Sequence, residues 1–151
     1  MKIAIGCDHK AVDLKEIVKK VLADLGMEVV DLGTQGPERV DYPDYGRAVA
    51  EMVAAGGADR GIAICASGVG MSITANKVKG IRAVLCQDSY VARLSRQHNN
   101  TNVLCMGALV IGPAVAEEIV RIWLSTDYEG GRHQQRLDKI HQLELKQDRK
   151  S

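Results

Sequence analysis

Two apolar rhythms alternate along the chain. Short, nearly continuous apolar runs at 2–6, 27–32, 59–65, 81–86 and 102–106 have the length and composition of buried strands. Between them lie segments with helical spacing. Residues 10–25 carry Val12, Leu14, Ile17, Val18, Val21, Leu22 and Leu25 on one face, and Gly26 is placed to cap that helix. A loop rich in turn residues spans 33–42. Pro43 then opens a helix to about residue 55, closed by Gly56-Gly57. Further helices are predicted from near Gly68, over 89–97 and over 113–124, the last carrying Trp123, the one tryptophan. Apolar strands separated by helices predict a parallel sheet covered on both faces. The expected fold is a Rossmann-like α/β three-layer sandwich with five parallel strands, in a single domain over 1–151. A polar stretch, 128–136, leads into a helix over 137–146 whose apolar residues Leu137, Ile140, Leu143 and Leu145 are flanked by charge. Residues from about 128 to 151 therefore read as a C-terminal helical arm lying against a second subunit, or else as a frayed surface helix.

Composition narrows the class without naming the chemistry. At 151 residues the chain can bury a full core. Its formal net charge of +1 implies no polyanionic partner, and 3% aromatic content with no Phe leaves no stacking platform for single-stranded nucleic acid. No apolar run approaches the roughly 18 to 20 residues of a membrane span. The N-terminus enters a strand pattern directly, without the layout of a signal peptide. Cys7, Cys65, Cys86 and Cys105 are widely spaced, and three of them lie in or at the end of strand-like runs. That pattern suits reduced thiols in a cytoplasmic enzyme. No Cys/His spacing resembles a zinc site, so neither metal nor other cofactor is expected.

Segment 61–77 carries the sharpest chemical signal. An apolar strand ends in Cys65, and Ala66-Ser67-Gly68-Val69-Gly70 turns it into a helix. Such a turn aims backbone N–H groups and a helix N-terminus at one point, which suits an anion beside a sulfur acting as a base. The plain alternative is a buried strand cysteine before an ordinary βα turn. Other polar clusters flank the elements. Gly6-Cys7-Asp8-His9 follows strand one, 97–102 enters strand five, and 130–136 precedes the last helix. Arg132 and Arg136 are four apart and would share a helical face, forming a fork for phosphate or simply a solvated pair. Asp8-His9 reads equally as a local cap, and His98-Asn99 as a polar loop. Gly6-Cys-Asp-His lacks the glycines of a dinucleotide fingerprint, which disfavours NAD. Together the pieces suit proton transfer on a small phosphorylated substrate. Cys65 would take a proton from carbon, His98 would move protons on oxygen, and Asn99 would donate to an oxyanion.

Several motifs, in order, resemble one family. They are Gly6-Cys7-Asp8-His9, Asp41-Tyr42-Pro43, Cys65-Ala66-Ser67-Gly68-Val69-Gly70, Ala75-Asn76-Lys77, Gly80-Ile81-Arg82-Ala83, His98-Asn99 and Gly130-Gly131-Arg132-His133-Gln134. The chain resembles, from Met1 to about Leu143, the sugar-phosphate isomerases of the ribose-5-phosphate isomerase B and galactose-6-phosphate isomerase group. The resemblance implies interconversion of ribose 5-phosphate and ribulose 5-phosphate through an enediolate. It gives Cys65 the role of base, with Met71 where some members place a Glu base. It gives His98 ring opening and Ser67 a proton relay between substrate oxygens. Asn99 and the turn Ala66, Ser67, Gly68, Val69 and Gly70 would hold the enediolate, Asp8 the hydroxyls, and His9, Arg132 and Arg136 the phosphate. Sites shared between two subunits are also implied, hence a homodimer or homotetramer. One departure is visible: Leu109 stands where many members have an arginine, which keeps a hexose 6-phosphate as an alternative substrate. A non-enzymatic sugar-phosphate or nucleotide-binding module on the same fold is the alternative from another class.

Overall fold

A computed structural model describes residues 1–148. Five strands alternate with helices: β1 (Lys2–Cys7), α1 (Val12–Asp24), β2 (Glu28–Asp31), α2 (Tyr42–Ala54), β3 (Arg60–Cys65), α3 (Val69–Ala75), β4 (Ala83–Leu85), α4 (Ser89–Asn99), β5 (Val103–Gly107), α5 (Pro113–Ser125) and α6 (Gln134–Asp148). A 3₁₀ turn, Gly131–His133, precedes α6. All strand pairs are parallel, in the order β2-β1-β3-β5-β4. This is the predicted five-stranded α/β sandwich.

Period-two alternation divides the core between the two faces of the sheet. Ile3, Ile5, Ile62, Ile64, Leu104 and Met106 pack toward the α1/α5 side, with Val18, Leu22, Ile119 and Trp123. Ala4, Ala63, Cys65, Val103 and Cys105 pack toward the α2/α3 side, with Val49, Ala50 and Met71. Small residues let α2 approach closely. A Cβ on Gly6 would lie 2.7 Å from Val49 Cγ2, and one on Gly61 2.6 Å from Val49 Cγ1. The core is almost wholly aliphatic. Trp123 is the exception, fully buried on α5, and its indole N–H donates to Thr101 Oγ1 at 2.9 Å. Thr101 Oγ1 also meets Ser95 Oγ at 2.9 Å, so the polar atoms inside this part of the core partner one another.

A second polar knot sits at the end of β2. Lys15 on α1 is fully buried, and its Nζ reaches Asp31 Oδ2 at 2.9 Å and Thr34 O at 2.9 Å. Lys19 reaches the same Asp31 oxygen at 2.9 Å, and the Gly33 N–H donates to Oδ1 at 3.0 Å. This ties the start of the 33–41 loop to α1, and the loop then returns over the sheet edge beside His9.

Some boundaries differ from expectation. β4 covers three residues because its approach is bonded to side-chain amides. Arg82 N–H donates to Asn102 Oδ1 at 2.8 Å, and Ala83 N–H to Asn76 Oδ1 at 2.8 Å. α6 begins at Gln134, and the preceding 3₁₀ turn contains Arg132. Arg132 and Arg136 thus belong to different elements and do not share the helical face their spacing predicted. The expected arm is docked on its own chain: Leu137 is buried, and the Gly80 N–H donates to Glu144 Oε1 at 3.2 Å. Its Ile140 and Leu143 remain exposed. The last residues of the arm, 149–151, lie outside the described residues.

Candidate active site

The chain turns outward in opposite directions from β1 and from β3, so the crevice between their carboxyl ends is the switch point where open α/β sheets bind ligands. Cys65 ends β3 there, and Asp8 follows β1. The Asp8 N–H donates to Ile64 O at 3.2 Å, which holds the two ends together. Asp8 is buried, and its Oδ1 accepts the Lys10 N–H at 3.0 Å. His9 Nδ1 accepts the Val40 N–H at 3.2 Å, fixing the imidazole under the returning loop. An open cleft of ≈ 440 Å³ lined by Asp8, His9, Arg39, Val40 and Tyr42 lies beside it.

The glycine turn is closely fitted. Gly68 has φ +79°, and a Cβ there would meet Leu85 Cδ1 at 2.5 Å and the Met106 carbonyl carbon at 2.7 Å. The Tyr42 ring fills the place of a Cβ on Gly70, and Gly107 lies against the Ser67 backbone. The Gly68 N–H donates to Cys65 Sγ at 3.1 Å, which fixes the sulfur's direction. The Val69 N–H donates to Ser67 Oγ at 3.3 Å. Two of the N–H groups expected to face a ligand therefore serve the turn's own side chains. Gly70, second residue of α3, has an N–H with no partner inside the helix. Ser67 and Val69 are exposed, and Ala66 is half-buried. Leu109 donates its N–H to Ala66 O at 3.0 Å, and the residue is 74% exposed next to the turn.

Burial favours the neutral thiol at the other three cysteines. Burial pushes Cys7 up to about 11 and Cys86 to about 12, and it raises Cys105 further still.

The remaining candidates lie at the opposite edge of the sheet. His98 and Asn99 end α4, whose chain turns through Asn100 (φ +45°) into the amino end of β5. Arg82 clamps that turn, its Nε donating to Asn99 O at 2.9 Å and its Nη2 to Asn100 O at 2.9 Å. His98 stacks on His133, with ring centroids 4.3 Å apart and planes at 15°. The Glu129 N–H donates to Gln97 O at 3.1 Å, so the segment bearing Arg132, His133 and Arg136 is pinned to the end of α4. Arg132 and Arg136 are exposed. Cys65 pairs with Gly107 and Gly61 with Val103, so the two groups are at least four strand steps apart, or roughly 13 Å along the sheet at about 3.3 Å per residue. The candidate residues of one chain thus fall into two groups: Asp8, His9 and 65–70 at the carboxyl edge, and His98, Asn99, Arg132 and Arg136 at the amino edge. His133 and Glu129 were absent from the predicted site. Their i, i+4 spacing was visible, but their meeting with His98 depends on how α4 and α5 end.

A thiol and a glycine turn at the switch point of a parallel sheet define an α/β protein built to handle a small ligand. The family described as Ribose/Galactose Isomerase matches residues 3–140. Ribose-5-phosphate isomerase B of Escherichia coli is 52% identical over 97% of this chain and 99% of its own length. The structure of Clostridium thermocellum ribose-5-phosphate isomerase B matches with a TM-score of 0.95 at 51% identity, covering 97% of this chain and 99% of that one. That of Mycoplasma genitalium ribose-5-phosphate isomerase B with bound ribulose-5-phosphate has a TM-score of 0.92 at 41% identity, covering 95% and 96%. This chain belongs to the Ribose/Galactose Isomerase family.

Proposed function

We propose that the protein interconverts D-ribose 5-phosphate and D-ribulose 5-phosphate, with Cys65 as the base and with each site assembled from two copies of the chain. The observation that carries this reading is the Cys65 sulfur, held by the Gly68 N–H at 3.1 Å at the mouth of the switch-point crevice. The ribulose-5-phosphate held by the Mycoplasma genitalium relative supports the substrate. The opposite placement of the two groups supports a homodimer, closed or doubled into a tetramer, in which the carboxyl edge of one copy faces the amino edge of the other. The exposed Ile140 and Leu143 of α6 give the arm an apolar strip for that contact.

In this scheme His98 of the second copy transfers a proton at the ring oxygen and opens the furanose. The Cys65 thiolate removes the proton from C2 of the open aldehyde, and the electron pair moves onto the C1 carbonyl oxygen. Ser67 passes a proton between O1 and O2, and the Cys65 proton returns to C1. The Gly70 N–H and Asn99 donate to the enediolate, and Asp8 binds hydroxyls. His9, Arg132 and Arg136 hold the phosphate. The reaction would serve pentose phosphate metabolism in the cytoplasm. General-base catalysis contributes about 10²–10⁴ in rate. Cys65→Ala is therefore expected to lower turnover by about that factor with KM changed only a few-fold, and turnover within tenfold of wild type would remove Cys65 as the base.

A second reading is favoured by Leu109. An exposed aliphatic side chain beside the catalytic turn offers no charge to a phosphate and leaves room for a longer sugar. A coupled assay over pentose 5-phosphates and hexose 6-phosphates separates the two. The pentose reading requires the highest kcat/KM with ribose 5-phosphate, and preference for allose 6-phosphate or galactose 6-phosphate would replace it.

A further inference from the structure

We propose that His98, Glu129 and His133 form a binding site for a zinc-class divalent cation, and that its occupation switches the isomerase off. One ligand atom from each of the three side chains can be chosen so that all lie within 4.8 Å of one another. His133 is 6% exposed, yet its Nε2 makes no hydrogen bond. That nitrogen lies 3.4 Å from Glu129 Oε2 without hydrogen-bond geometry. A buried ring nitrogen that faces a carboxylate without a hydrogen bond is not fully satisfied, and a cation held jointly with that carboxylate satisfies both. The backbone is already in place, because the Glu129 N–H is bonded to Gln97 O, next to His98. Bonds of about 2.0–2.1 Å to nitrogen require the three groups to close inward. The Glu129 carboxylate is exposed and already faces His133, and the stacked imidazoles reach a common ion by turning about Cβ–Cγ. Two imidazoles and one carboxylate suit a borderline cation such as Zn²⁺ or Co²⁺, whereas Mg²⁺ and Ca²⁺ require mostly oxygen. The fourth position stays open to water or to a further donor from a second copy.

The regulatory half of this proposal rests on the function proposed above. When the metal holds the His98 nitrogen that would carry the proton, the imidazole has no proton to give the ring oxygen of a closed sugar, so turnover stops while the ion is bound and resumes when a chelator removes it. The test begins with no substrate present. Co²⁺ is titrated into the wild-type protein and the visible d–d bands are read. One saturable Co²⁺ per chain, displaced by Zn²⁺, is expected. Imidazole ¹⁵N NMR should show His98 and His133 shifting while His9 and His141 do not. Glu129→Gln, which removes the anionic ligand, should weaken Co²⁺ binding by at least the roughly tenfold that loss of even a second-shell partner costs, and His133→Gln should abolish the saturable band. Zn²⁺ should then inhibit turnover of ribose 5-phosphate, reversibly with a chelator. No saturable band, or shifts confined to His9 and His141 in the wild-type protein, overturns the site. A saturable site whose filling leaves turnover unchanged overturns the switch. Because the cobalt and NMR readings need no turnover, they report on the site even if the isomerase reading fails.

Discussion

Cys65 and Gly68 act as one unit, because the glycine N–H directs the cysteine sulfur. Gly68 occupies the left-handed region (φ +79°), and its missing Cβ leaves room for Leu85 and the Met106 carbonyl. Gly68→Ala combines left-handed strain with overpacking, together about 2–4 kcal/mol, and it moves the donor away from the sulfur. Urea denaturation should show a loss of that size, and kcat should fall with it; a loss under about 1 kcal/mol would contradict the tight fit. That a cysteine and glycines met at a strand end was legible in the sequence, since a strand-to-helix turn puts them together. Which N–H serves which atom was not. Gly68 and Val69 spend their N–H groups on Cys65 and Ser67, a consequence of backbone angles that composition does not encode.

At the scale of elements, the aliphatic runs identified all five strands, because a strand buried on both faces leaves little else in its composition. The misjudged boundaries are those where side chains compete with the ladder. Asn76 and Asn102 take over the backbone before β4, and a 3₁₀ turn separates Arg132 from α6. The knot joining α1 to the end of β2 carries an acid-sensitivity prediction. Burial pushes Asp31 up, but hydrogen bonds from Lys19, Lys15 and the Gly33 N–H outweigh it and hold the carboxyl at about 2 against an ordinary 3.8. A depressed folded-state pKa contributes stability that is fully present above the unfolded value and is lost as pH falls through the folded one. Stability should therefore drop by about 2 kcal/mol between pH 5 and pH 2 through this group, and Asp31→Asn should flatten that part of the pH–stability profile. An unchanged profile in the variant would show that the pair contributes nothing.

For the whole molecule, the sequence listed the right kinds of residue but not their distribution. The rule that ligands gather at the carboxyl ends of strands holds for Asp8, His9 and 65–70. It fails for His98, Arg132 and Arg136, because α4 runs back down the sheet and delivers its last turn to the amino edge. No rearrangement within one chain short of unfolding brings His98 to Cys65, so catalysis by both groups requires a second copy. In a two-fold dimer the same edge-to-edge contact occurs twice, giving two sites per pair of chains. Subunit mixing tests this most directly. Cys65→Ala and His98→Asn proteins, each impaired alone in the ribose 5-phosphate direction, are mixed under conditions where native mass spectrometry confirms exchange. Each hybrid dimer holds one site with both Cys65 and His98 intact and one with neither. Half of the dimers are hybrids, so the mixture should recover about a quarter of wild-type activity. Activity no greater than the sum of the two parents, with exchange confirmed, would contradict a site divided between two chains.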